Sequence, residues 1–186
     1  GTVTVGNYSL SRKTRQEVRK TVGMVFQNPD DQLFMPTVFD DCAFGPLNLG
    51  MEEDTVRQRV HDALSTVNCL DLKDKPSHHL SAGQKSAVAI ASVIAMAPDI
   101  IVMDEPAANL DPWSRRALIE LLKTFRHSKI IASHDLDLIL DCCERCIVIG
   151  GGVVVADGPS AEILSNRELL EENHLELPLS LQRIGR

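Results

Sequence analysis

The chain has 186 residues, 44% of them hydrophobic and 24% charged, which is enough for one domain with a real core and is the composition of an ordinary soluble globule. Its formal net charge is −7 with lysines and arginines scattered along the chain, so it offers little attraction to nucleic acid or to an anionic membrane surface. The most apolar segment, Ala87 to Ala97, is too short to cross a bilayer and is flanked as a core helix would be, by Lys85 and by Pro98-Asp99.

In chain order, Val22 to Phe26 reads as a short buried strand. Val56, Val60, Ala63, Leu64 and Val67 fall on one face of a helix that Glu52, Glu53 and Asp54 open with the charge its dipole favours. A second helix begins near Ser81, and Ile100 to Met103 is a second strand. Asp111-Pro112 places a capping carboxylate before a proline at the first position of a third helix. Lys129 to Ala132 is a third strand, followed by a helix capped by Asp135. Cys146 to Ile149 and Val153 to Ala156 read as an antiparallel hairpin joined at Gly150-Gly151-Gly152.

Short β-branched strands alternating with helices predict an α/β domain with a mostly parallel sheet, buried on both faces. In such sheets ligands gather at the carboxyl ends of strands and the amino ends of helices. No repeat, low-complexity stretch or linker interrupts residues 1–186, so one domain is expected. There is no charged-then-apolar targeting segment, and five cysteines without disulfide spacing suggest a reducing cytosol. The first residue is Gly, which fits a processed or truncated chain and equally a tag remnant.

Two motifs carry chemistry. Ile100-Ile101-Val102-Met103 delivers Asp104 and Glu105 to a strand tip, where one carboxylate can hold Mg²⁺ and the next can orient or deprotonate an attacking water. Two adjacent acids after an apolar strand are costly unless a cation or donors meet them, which favours a site over a simple capping acid. Ser81-Ala82-Gly83-Gln84 supplies a hydroxyl, a glycine and free amides at a helix start, a seat for phosphate that alone would be only an N-cap. Its position one helix length before the acidic tip makes the pair specific. No G-x-x-x-x-G-K-[ST] loop occurs between Gly1 and Arg186.

In these residues the chain resembles the ATPase subunits of ATP-binding-cassette (ABC) transporters over essentially its whole length. Leu80 to Gln84 resembles the signature motif LSGGQ, Asp104 and Glu105 the Walker B pair, Gln27 the Q-loop glutamine, Asn109-Leu110-Asp111 the D-loop, and Ser133-His134 the switch histidine. The resemblance implies a P-loop-type ABC ATPase fold that lacks its N-terminal part. It also implies a helical signature subdomain at about 36–97 and a C-terminal extension at about 159–186. Gly1-Thr2-Val3-Thr4-Val5 is similar to the strand that follows the P-loop helix.

Function follows by the same resemblance. Two such subunits, identical or paralogous, pair head to tail and hold ATP between one subunit's P-loop and the other's signature helix. Glu105 is then the general base and Asp104 the Mg²⁺ partner. Gln27 is a metal and water ligand that also senses the membrane subunit, and His134 contacts the γ-phosphate. Ser81, Ala82, Gly83, Gln84 and Asp111 contact nucleotide across the pair.

A finer similarity, to energy-coupling-factor importers of the cobalt and nickel branch, comes from Phe26 to Phe34, Phe44 to Gly50, His134 to Leu138 and the tail Leu175 to Leu179. It implies a transmembrane coupling subunit met by Pro29 to Phe34, a substrate-binding membrane subunit, and a place at the cytoplasmic face of the cell membrane. Vitamin importers of the same type share much of the pattern.

Several positions depart from the family pattern. Ala82 replaces a usual glycine, harmless if the backbone there is helical and costly if it needs positive φ. Ser86-Ala87 replaces a more basic stretch and Ala107-Ala108-Asn109 a threonine-containing one. Without the P-loop, losing three or four charge-assisted hydrogen bonds removes on the order of 5 kcal/mol, enough to move micromolar nucleotide binding toward millimolar. The chain by itself is therefore expected to be inactive. It would be a non-catalytic fragment, able at most to offer its signature helix to an intact partner. A soluble ABC ATPase acting on DNA or ribosomes is a further alternative, weakened by the lack of a coiled-coil insertion or tandem cassette. Cys142, Cys143 and Cys146 are expected in the core because no fourth zinc ligand is visible. His78 and His79 are expected to be structural.

Overall fold

A computed structural model describes residues 1–125 and 127–182. The chain begins with a hairpin of β1 (Thr4–Val5) and β2 (Tyr8–Ser9), then α1 (Arg15–Thr21) and β3 (Val22–Val25). Three helices follow: α2 (Val38–Asn48), α3 (Glu53–Thr66) and α4 (Ala82–Ile94). Next come β4 (Ile100–Asp104), α5 (Pro112–Thr124), β5 (Ser128–Ala132) and α6 (Leu136–Cys142). The chain then forms β6 (Arg145–Gly150), β7 (Val153–Pro159), α7 (Ser160–Ser165), α8 (Arg167–Glu172) and α9 (Leu179–Gln182).

β3, β4 and β5 form a parallel sheet in that order, with Val25 opposite Met103 and Met103 opposite Ile131. Strand alternation points Val25, Ile101 and Met103 into a core shared with Val88, Ile90 and Val93 of α4 and Leu118 and Leu122 of α5. Gly23 lies where a Cβ would come within 2.3 Å of the Val93 side chain, so a side chain there would push α4 off the sheet. The same core takes Val38 and Cys42 from α2 and Val56, Val60 and Leu64 from α3, the apolar face read from the sequence.

Burial on both faces is not what the structure shows. Met24, Val102 and Ile130 line up across the other face, where Met24 is 49% and Ile130 58% exposed. The reason is topological: α4 and α5 share a core with one face, and no element among the described residues covers this row.

The predicted hairpin is present as β6 and β7, with a bulge at Val148/Ile149 and glycines 151 and 152 at positive φ in the turn. It forms a sheet of its own, not hydrogen-bonded to β5. A second core joins it to α6, α7 and α8 through Leu138, Ile139, Cys146, Val148, Leu164 and Leu170. Cys142 and Cys143 pack against this core, and burial pushes the thiols of Cys142 and Cys146 up, to about 11 for Cys142. His78 and His79 stack edge to face with ring centroids 4.3 Å apart.

Candidate functional site

Ser81 is extended (φ −67°, ψ 162°) and caps α4 in a closed capping box: its Oγ accepts from Gln84 N at 3.3 Å, and Gln84 Oε1 accepts from Ser81 N at 3.0 Å. Ala82 is the first helical residue, so its methyl meets no positive-φ demand. Gly83 is different. A Cβ there would lie 2.4 Å from Ser114 Oγ, so the glycine is what lets the start of α4 pass the start of α5.

Ser114 donates to Asp111 Oδ2 at 2.6 Å, while Asp111 Oδ1 accepts from Trp113 N and Ser114 N at 3.0 and 3.1 Å. The Ser114 hydroxyl and these amides hold the Asp111 carboxyl below its ordinary range. Ser81, Gly83 and Gln84 line one groove with Ser114 and Trp113, whose indole is 80% exposed.

β3 and β4 end side by side, so Gln27 leaves the sheet next to the acidic tip of β4. Its loop is pinned from below by a residue that motif reading did not single out. Gln32 Oε1 accepts from Phe26 N at 3.0 Å, and its amide donates to Ala89 O and Ser92 Oγ on α4 at 2.8 and 2.9 Å. Lys85 closes the other side with a 2.6 Å ion pair to Asp30. Exposed Gln27 thus shares a groove of about 190 Å³ with Ala82, Lys85, Pro106 and Asn109.

At the tip of β4, Asp104 pairs with Ala132 in the ladder and carries an exposed carboxylate. Glu105 turns out of the strand at φ 44°, a left-handed conformation that a non-glycine residue adopts at a cost. Its amide stays bonded to Ala132 O at 2.8 Å, which anchors the turn. The carboxylate then meets three donors: Ser133 Oγ on Oε2, and His134 N and His134 Nδ1 on Oε1, each at 2.8 Å. These are the donors that make the acidic strand end tolerable.

Partial burial pushes the Glu105 carboxyl up, and the His134 ring, the Ser133 hydroxyl and the His134 amide outweigh it, leaving Glu105 below the ordinary range. The hydrogen bond to Glu105 raises the His134 imidazole. The signs fix a pH window. The contribution from His134 is complete below the ordinary imidazole value and fades as pH rises through the raised one. That from Glu105 is complete above the ordinary carboxylate range and fades as pH falls through the lowered one. An NMR titration is expected to place the His134 midpoint above about 6.5 and to lower it toward that value in Glu105→Gln. A wild-type midpoint at or below that value would contradict the pair.

Asp104 and Gln27 supply oxygen donors of the kind Mg²⁺ prefers, one carboxylate and one amide, with phosphates and water left to complete an octahedron. No group of three or more His, Cys, Asp and Glu side chains among the described residues forms a metal cage. On the far side of His134, an open groove of about 1040 Å³ runs under the tail, where Asp137 accepts from Leu179 N and Ser180 N at 2.9 and 3.1 Å.

Residues 1–108 match the ABC transporter family. A putative ABC transporter ATP-binding protein of Geobacter sulfurreducens is 56% identical over 182 residues, covering 98% of this chain and 73% of that protein. The energy-coupling factor transporter ATP-binding protein EcfA of Carboxydothermus hydrogenoformans is 45% identical over 182 residues, 96% of this chain and 67% of its own length. Among solved structures, CbiO1 from Clostridium perfringens, part of the ABC transporter complex CbiONQ, superimposes with a TM-score of 0.77 at 39% identity. That match covers 92% of this chain and 70% of CbiO1. With an α/β fold on a parallel sheet and this extent of identity, the chain belongs to the ABC transporter ATPases, the family that couples ATP hydrolysis to transport.

Proposed function

We propose that this chain is the hydrolytic part of an energy-coupling-factor ATPase subunit that powers import of cobalt or nickel ions. The observation that carries the reading is the Glu105 carboxylate held by Ser133 and His134 beside the exposed carboxylate of Asp104. In the working subunit Glu105 takes the proton of the attacking water, Asp104 and Gln27 bind Mg²⁺, and His134 turns to the γ-phosphate. Ser81, Gly83, Gln84 and Asp111 present their helix starts to nucleotide held by a partner ATPase, identical or paralogous. The groove that Ser81, Gly83 and Gln84 line, apart from Glu105 and Asp104, supports that division of labour. Turnover needs a phosphate-binding loop that residues 1–186 do not contain, so these residues alone are inactive.

Import and metal selectivity rest on the likeness to EcfA and CbiO1 and on the segments Phe44 to Gly50 and Leu175 to Leu179. No helix among the described residues is long and apolar enough to cross a membrane. The likeness to EcfA and to CbiO1 of the CbiONQ complex supports separate coupling and substrate-binding membrane subunits, with the ATPase placed peripherally at the cytoplasmic face. The docking surface is the exposed apolar cluster beyond Pro29 to Asp31: Phe34 packs edge to face on Phe44 at 5.0 Å, beside exposed Leu47.

Phe34→Ala is expected to weaken co-purification with the membrane subunits by about tenfold or more, as loss of an aromatic anchor does, while leaving the melting temperature within a few degrees. Retention equal to wild type would place the docking surface elsewhere. Cobalt or nickel uptake by the assembled transporter tests the cargo, and uptake confined to an organic vitamin would overturn the metal reading. Co-sedimentation with ribosomes or DNA in place of membranes would favour the soluble alternative.

A further inference from the structure

Arg115, in the first turn of α5, reaches across to the switch segment and grips Asp135 with two parallel bonds, Nε to Oδ2 at 2.6 Å and Nη2 to Oδ1 at 2.8 Å. Such a fork fixes direction as well as distance, which a single point charge does not. Asp135 Oδ1 also accepts from Leu138 N at 3.0 Å and so caps α6, while Asp135 N donates to Ser133 Oγ at 3.1 Å. Ser133 Oγ donates its own proton to Glu105 Oε2. An unbroken chain of contacts therefore runs from the guanidinium through Asp135 and Ser133 to the carboxylate of Glu105.

We propose that Arg115 is a positioning residue for hydrolysis: its fork on Asp135 sets the turn Ser133 to Asp135 so that the hydroxyl and the His134 ring hold Glu105 in place. The proposal rests on the reading of Glu105 as the base. The starting point of the chain is itself fixed, because α5 is capped by Asp111 and its Ser114 is packed on Gly83 of the signature helix. The position of the signature helix thereby reaches Glu105 through Ser114, Arg115, Asp135 and Ser133. The Arg115 and Asp135 side chains are 32% and 25% exposed, so a bidentate pair there can add stability as well as hold the turn, and the test has to separate the two.

The test uses the intact subunit in its ATP-hydrolysing assembly. Arg115→Ala is expected to lower kcat by about 30- to 100-fold, the scale of a small displacement of a reacting group, with KM for ATP within about twofold and the melting temperature within a few degrees. Arg115→Lys is expected to recover only part of kcat, since an ammonium cannot make the fork. A spectroscopic readout stands beside it. In ¹⁵N spectra recorded above the imidazole titration, His134 Nδ1 is expected to show a hydrogen-bonded signal in wild type that is lost in Arg115→Ala.

Unchanged kcat together with an unchanged His134 signal would overturn the proposal, as would a rise in KM with kcat intact. Glu105→Gln run in parallel separates the two readings. If it retains turnover, the base assignment fails and the His134 signal alone decides whether Arg115 positions the turn. If it is inactive while Arg115→Ala is normal, only the positioning role falls.

Discussion

Glu105→Gln, in a form of the subunit that carries a phosphate-binding loop, is expected to abolish steady-state ATP hydrolysis while leaving MgATP binding intact. General-base catalysis contributes about 10²- to 10⁴-fold, and an amide cannot take the proton of water. The substitution is close to isosteric: the amide oxygen can still accept from His134 N while the amide nitrogen donates to Ser133 Oγ, so the turn is expected to keep its shape. Binding depends on other groups, so trapped nucleotide should accumulate in place of product. Single-turnover hydrolysis and nucleotide retention, measured on the same sample, check both halves. Turnover within about threefold of wild type would remove Glu105 from the base role and leave the Glu105–His134 pair as a structural contact.

Asp41→Ala is expected to cost about 3–5 kcal/mol of stability, the scale of leaving two backbone amides and a hydroxyl without their acceptor at about 1–3 kcal/mol each. Asp41 lies on α2 with 4% of its surface exposed. Its Oδ1 accepts from Phe34 N and Met35 N, both at 2.9 Å, and its Oδ2 accepts from Ser77 Oγ at 2.5 Å. Removing the carboxylate strands three donors where water does not reach them easily, and each bond to a charged group is worth about 1.5–3 kcal/mol. The same bonds hold the loop that presents Phe34, so the variant should lose membrane-subunit docking as well. Urea unfolding of wild type, Asp41→Ala and Asp41→Asn checks this, with the amide retaining part of the loss. A change below about 1 kcal/mol in Asp41→Ala would mean that the loop re-satisfies its amides with solvent.

Elements with a strong local signal were legible. The Ser81 cap, the Asp111-Pro112 helix start and the Asp135 cap appear where chain-local chemistry put them, because a cap is satisfied within three residues of itself. The strands 100–104 and 128–132 matched their apolar runs, and Val67 fell just outside its helix at the C-cap. α2 carried no such signal. Gly45-Pro46 reads locally as a breaker, yet both residues sit inside the helix, and Gly45 is placed where a Cβ would meet Met96 at 2.6 Å. Packing against the end of α4 decides that segment, and packing is not local.

By itself, the sequence determined the family, the order of the motifs and the residue types available for chemistry, because these depend on spacing along the chain. Only the tertiary structure decided that Ser133 and His134 close on Glu105 across 28 and 29 residues, and that Arg115 reaches Asp135 across 20. It likewise decided that Gln32, with no motif of its own, steers Gln27 through α4 residues 57 and 60 positions away. It also decided that the hairpin stands apart from the parallel sheet. The physical reason is common to all of them: a hydrogen bond or a buried face is set by which elements pack together, and that is a property of the assembled layers, which no window of neighbouring residues contains.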